Sequence, residues 1–338
     1  MNGNSVTTAH AGAAVNGQSA PVSALDSLLG DFDRADFFAN HWEKRTCVIH
    51  HGDPQRFAHL LSCEQFMDEE VRHCRVLRGA YLDPQGWPSE VVIRPGQAKK
   101  VFESGMTVAA SMMRESGALK AFLDSFRACL FGVAPHFNAY YSPDRKGYSV
   151  HFDAHPVWFL QVAGSKHWYL GRKPVVRNPP MTLGFPPDRE VLKLPWITVN
   201  KPLLDDPEQF MSVTLEPGDV AYMPPGTWHR ASARGYSLAL TLASAHITVA
   251  DLVCGVMQDR LSSPECSALT ERVGGVAASA RGSNGALPGG VEQALAGRLA
   301  AAKDLVSRIE MEDLRRKFAQ LAKMSTEDLI ALNVKKGA

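Results

Sequence analysis

Several common features are scarce in this chain, and each scarcity excludes something. Its 338 residues include six cysteines, Cys47, Cys63, Cys74, Cys129, Cys254 and Cys266, and no two stand at C-x-x-C spacing. Such scatter suggests free thiols in a reducing, cytoplasmic setting rather than a disulfide frame or a zinc site. Charge of one sign is also missing. The 36 basic and 35 acidic side chains leave a formal net charge of +1, which argues against direct nucleic-acid binding or an anionic-membrane footprint. No lysine or arginine precedes Arg34, so the chain does not open like a signal or transit peptide. Nor is there a long hydrophobic run. Residues 237–257 are the most apolar stretch, and His246 and Asp251 interrupt them, as expected of a strand running into a helix rather than a membrane span.

What is present suggests one large domain with accessory helices, since 338 residues at 45% hydrophobic content easily bury a core. Residues 1–24, rich in Gly, Ala, Ser, Asn and Thr, read as a disordered tail. The catalytic domain is expected over 25–246. Within it, Leu25, Leu28, Leu29, Phe37, Phe38 and Trp42 suggest short helices, and a strand follows at 46–50. His50 and His51 adjoin Gly52-Asp53-Pro54, a turn cluster, and read as a solvated loop. Residues 56–72 look helical, and 75–93 look like strands around an Asp83-Pro84-Gln85-Gly86 turn. A helix is predicted over 106–131, where Leu119, Phe122, Leu123 and Phe126 keep helical spacing. The strand-rich section 135–245 carries the chemistry. Residues 247–338 read as a helical region, with a helix at 248–261, a flexible Gly/Ala/Ser-rich segment at 273–290 and an amphipathic tail beyond it.

Two segments stand out. One is His151-Phe152-Asp153; the other runs from Glu216-Pro217-Gly218-Asp219 through Pro224-Pro225-Gly226-Thr227 to His229. Side chains two apart on a strand share a face, so His151 and Asp153 can reach one metal while Phe152 points away. The distance in sequence to His229 suits a barrel, where remote strands become neighbours around a lumen. Two imidazoles and one carboxylate form the set that holds a non-haem iron(II) on one triangular face, leaving the opposite positions free. His155 and His167 read as structural or substrate-facing, because three protein ligands already suffice. Trp158, Phe159, Trp168 and Trp228 read as core and pocket wall.

These motifs resemble those of cupins, and the run from His151 to Tyr169 resembles JmjC-type ribosomal oxygenases, which depend on iron(II) and 2-oxoglutarate. Upstream pieces agree: Phe37-Phe38 with His41-Trp42-Glu43-Lys44-Arg45, the 102–107 stretch, and Asn138-Ala139-Tyr140-Tyr141-Ser142-Pro143. The resemblance implies a mainly β core with flanking helices, an α+β chain built on a double-stranded β-helix (jelly-roll) barrel, with a C-terminal helical dimerisation region. It implies His151, Asp153 and His229 as iron ligands and Lys166 as the cation for the distal carboxylate of 2-oxoglutarate. Lys166 follows Gly164-Ser165 and is read as opening a new strand with its ammonium in the barrel, where burial demands a counter-charge. Asn138 and Tyr140, which share a strand face, resemble co-substrate-lining positions.

The implied activity is a dioxygen-consuming hydroxylation of a protein or peptide side chain by a homodimer. Ala154-His155-Pro156 occupies a stretch where the family carries a further acidic residue, so the preferred target is expected to differ. Hydroxylation of a peptide natural product or small molecule, or ligand binding by an idle cupin, are the alternatives.

Overall fold

A computed structural model describes residues 22–113, 117–130, 133–262 and 289–323. The tail at 1–21 and most of the 273–290 segment lie outside the described residues, as does Cys266. Among the described residues run thirteen strands: β1 (Cys47–Ile49), β2 (Val76–Leu82), β3 (Pro88–Val92), β4 (Thr107–Ser111), β5 (Val133–Pro143), β6 (His151–Phe152), β7 (Val157–Gly171), β8 (Leu183–Gly184), β9 (Val191–Leu194), β10 (Ile197–Asn200), β11 (Phe210–Leu215), β12 (Val220–Met223) and β13 (His229–His246). Strands β9 and β10 pair by themselves. The other eleven form one antiparallel sheet in the order β1-β12-β7-β13-β5-β4-β2-β3, with β11 added to β7 and β6 joining β13 and β8.

The long strands are buried on both faces, and their side chains sort by parity into two cores. Along β7, Val157 and Phe159 join one buried cluster with Trp168 and Leu170, whereas Trp158, Leu160 and Val162 join another. The same division runs through β12, where Ala221 and Met223 face the first cluster and Val220 and Tyr222 the second. The sheet is therefore a wall between a lumen and an outer helical layer. That layer includes helix Ala24–Leu29, capped by Ser23, and helix Gly117–Cys129, whose Leu119, Phe122, Leu123 and Phe126 are buried. Phe37 is wedged between Trp158 and Tyr222, with ring centroids 5.0 Å from each. Truncating such a fully buried ring costs about 3–5 kcal/mol.

Three expectations need correction. The helix predicted over 106–131 starts only at Gly117, because Thr107–Ser111 is β4, buried between β2 and β5. Tertiary pairing there decides what the small residues Thr-Val-Ala-Ala-Ser leave open. Lys166 does not open a new strand. Strand β7 runs unbroken through Gly164, which takes φ +60° and packs against the Tyr236 carbonyl where the register with β13 shifts. His51, read as solvated, is half buried with Nε2 3.1 Å from the Leu28 carbonyl oxygen.

After β13 come helices Val249–Leu261, Gly289–Ser307 and Met311–Leu321. Lys317 Nζ reaches both Asp259 carboxylate oxygens at 2.9 Å, and Arg260 pairs with Asp313, tying the first of these helices to the last. Among the described residues, no helix is long and apolar enough to cross a membrane.

Candidate metal centre

Short β6 lies against the start of β13 with His151 directly opposite His229, so the two imidazoles meet across the pair with centroids 4.1 Å apart. Asp153 follows just past β6, while Phe152 turns the other way into a cluster with Trp228 and Phe185. The Pro224–His229 corner is bound to the same place. Gly226, at φ +74°, donates its N–H to the Asp153 carbonyl at 2.8 Å, and a Cβ there would collide with the Val176 carbonyl oxygen. Glycine is required at this corner both by its backbone conformation and by the close approach. The Pro217-Gly218-Asp219 turn is fixed similarly: Gly218 takes φ +91°, and Asp219 Oδ2 accepts from Glu216 N at 2.9 Å.

One atom each from His151, Asp153 and His229 lies within 4.8 Å of the others. Their orientation is set by neighbouring carbonyls. His151 Nδ1 lies 2.7 Å from Ser149 O, and His229 Nδ1 lies 3.1 Å from Thr227 O. Nδ1–H donation to those oxygens leaves both Nε2 lone pairs facing the centre. On Asp153, Oδ1 accepts from the Thr182 hydroxyl at 3.3 Å while Oδ2 lies 3.7 Å from His229 Nε2. Burial pushes His229 down to about 3, with His151 adding, so its ring stays neutral. Burial pushes Asp153 up, but His151, His229, His155 and the Thr182 hydrogen bond outweigh it, and the carboxyl ends below its ordinary value. Neutral imidazoles and an ionised carboxylate are the protonation states that bind a metal.

The cavity over this centre is lined by Tyr140, Tyr148, Phe159, Lys166, Trp168 and Thr241 among others. Lys166 is 4% exposed, and among the described residues no carboxylate forms an ion pair with it. Its ammonium lies 5.7 Å from the Trp168 ring and 6.0 Å from that of Tyr140, and burial pushes its pKa down to about 8. The structure thus brings Lys166 and Tyr140 to the cavity. Asn138 is not brought there; its Oδ1 is taken by the Met112 N–H at 2.8 Å, at the end of β4. Phe159 and Trp168 are pocket wall, and Trp158 is core. His155 is half-buried, with its ring 6.1 Å from that of His136. Tyr148, Thr241 and Thr182 have no motif to mark them; strand alternation from His229 along β13 is the signal that points Thr241 inward.

Two imidazoles and one carboxylate brought together on a mainly antiparallel β core define the class: a β fold with a three-residue cluster that could hold a metal ion. Residues 115–252 match the model of the JmjC domain. It is 27% identical over 246 residues to the bifunctional lysine-specific demethylase and histidyl-hydroxylase NO66 of Drosophila willistoni, covering 65% of this chain and 28% of that protein. With ribosomal oxygenase 1 of Gallus gallus it shares 28% over 221 residues, 62% of this chain and 34% of the other. The chain thus spans about a third of the length of these two relatives. Among solved structures, the Escherichia coli ribosomal oxygenase YcfD in complex with cobalt and 2-oxoglutarate aligns at TM-score 0.54 and 16% identity, over 87% of this chain and 72% of that one. The two share a fold.

Proposed function

We propose that this chain is an iron(II)- and 2-oxoglutarate-dependent oxygenase that hydroxylates a side chain of a protein or peptide. One observation carries the reading: a single cavity is lined both by the His151/Asp153/His229 cluster and by the buried ammonium of Lys166, which has no carboxylate partner among the described residues. An uncompensated cation in an apolar cavity is a site for an anion. His151, Asp153 and His229 would hold the iron, and Lys166 would take the distal carboxylate of the dicarboxylate, with Tyr140 beside it.

When bound, the metal and co-substrate supply dioxygen activation coupled to oxidative decarboxylation. The chain's own contributions are local. Ser149 O and Thr227 O fix the imidazole tautomers, Thr182 orients the Asp153 carboxylate, and Phe159 and Trp168 wall off water. The names carried by NO66 and ribosomal oxygenase 1 support a polypeptide substrate. The Ala154-His155-Pro156 stretch beside the metal supports a target residue different from that of typical ribosomal oxygenases. A cytoplasmic homodimer completes the proposal; exposed Leu299, Val306 and Met311 on the helices after the barrel offer the dimer surface.

The test is incubation with iron(II), 2-oxoglutarate, dioxygen and candidate ribosomal proteins or peptides. Succinate release should accompany a polypeptide product carrying one added oxygen, located by tandem mass spectrometry. Robust hydroxylation of a free metabolite with no polypeptide modified would overturn the substrate class.

A further inference from the structure

The cavity does not end at its own wall. Directly opposed residues on antiparallel strands share a sheet face. The cavity-lining pair Tyr140 and Ala239 on β5 and β13 therefore continues through Ala109 on β4 and Arg78 on β2 to Val92 on β3. Strand β3 is the outermost strand of the sheet, and Val92 at the end of this row is 72% exposed. Glu90, two residues before Val92, points to the same side. Its Oε2 lies 3.2 Å from Arg78 Nε, and Arg78 in turn donates from Nη1 to Ser111 Oγ at 3.0 Å. The other carboxylate oxygen, Oε1, accepts from the Tyr148 hydroxyl at 3.0 Å.

Tyr148 comes from the loop before β6. That loop is pinned to β13 by Arg145 N to Ala233 O, Ala233 N to Lys146 O and Gly235 N to Asp144 Oδ1, and a Cβ on Gly147 would collide with the Ala231 carbonyl. The backbone is thus fixed, but the ring reaches into the cavity, 5.9 Å from His151 and edge-on to Tyr140 at 5.3 Å. Burial, with Tyr140 and Glu90 adding, pushes the Tyr148 phenol up, so it stays a donor.

We infer that Glu90 is a positioning residue: from the edge strand it holds Tyr148 in place as the cavity wall beside His151, joining the β2–β3 hairpin to the metal centre. The inference rests on reading that cavity as the 2-oxoglutarate site. Loss of the tether leaves the metal ligands in their carbonyl-fixed orientation but loosens the wall that confines the co-substrate.

The experiment is a double-mutant cycle on cobalt(II)-loaded protein, with 2-oxoglutarate affinity measured by calorimetry and cobalt content checked in every variant. Glu90→Ala and Tyr148→Phe should each weaken 2-oxoglutarate binding by about 3- to 10-fold with cobalt content unchanged, and the double variant should be no weaker than either single one. Glu90→Gln loses the charge facing Arg78 but keeps an oxygen acceptor for Tyr148, so it should stay within about twofold of wild type. Additive losses, or Glu90→Gln behaving like Glu90→Ala, overturn the positioning role. Amide hydrogen exchange of the Pro88–Val92 strand gives an independent reading, because Tyr148→Phe should speed it; unchanged exchange in that variant also overturns the role. A wild-type protein that binds cobalt but no 2-oxoglutarate fails the co-substrate assignment instead, and the exchange result then decides the coupling alone.

Discussion

At the metal end of the cavity the polar groups already have partners: both Nδ1 atoms face carbonyls, and Asp153 has Thr182 and its histidine neighbours. Elsewhere on the cavity wall Lys166 has two aromatic rings beside it and, among the described residues, no carboxylate paired with it. The first arrangement is preorganised, with its imidazoles and carboxylate already oriented by hydrogen bonds. The second buries a cation at a cost, which on the proposed reading the co-substrate's carboxylate would offset. One cavity therefore combines a region that stabilises the empty fold with one that destabilises it, and substitutions should tell the two apart.

His229→Ala should have the largest effect, abolishing metal loading and succinate release, because it removes one of three ligands from the centre. Anaerobic iron(II) titration checks it, and wild-type affinity in the variant would break the metal assignment. Gly226→Ala comes next: a side chain at φ +74° that meets the Val176 carbonyl should cost about 1–3 kcal/mol of stability and misplace His229. Thermal unfolding and metal content should fall together.

Lys166→Met separates the regions most sharply. 2-Oxoglutarate binding should weaken about tenfold or more, metal content should hold, and the ligand-free protein should become more stable as a buried unpaired charge is replaced by a thioether. A matching pH effect follows from the depressed pKa. The folded lysine releases its proton at about 8, below the unfolded lysine, so its destabilising contribution is complete below about 8 and fades as pH rises toward the unfolded value. Ligand-free wild type should thus gain stability over that alkaline window while its 2-oxoglutarate affinity drops, and Lys166→Met should show neither trend. Asn138→Ala should have the smallest effect, near-wild-type co-substrate binding with about 0.5–1.5 kcal/mol lost from the Met112 contact.

That His151, Asp153 and His229 come together was legible in the sequence because two constraints coincide there: alternation on a short strand and a Pro/Gly corner with few possible conformations. The inward placement of Lys166 was read from its position after Gly164-Ser165 and from resemblance to a family, but the continuity of its strand came only from the structure, since no local pattern marks a strand that passes Gly164 without ending. Asn138 illustrates the opposite failure. It shares a face with Tyr140, but the neighbouring β4 takes its side chain, and β4 itself was hidden inside a stretch that reads as helix. Glu90 and Tyr148 meet through four strand pairings across five strands, which spacing along the chain cannot express.

The opposition of His151 and His229 has a consequence for the order of folding. The pair exists only once β6 has docked on β13, a contact between residues 151 and 229 with six strands, β7 to β12, between them in sequence. Contacts so distant along the chain form late, after loop-closure entropy has been overcome. On the proposed reading a metal would therefore bind only after β6 has docked on β13, and metal-depleted protein should be a folded apoprotein competent for immediate loading.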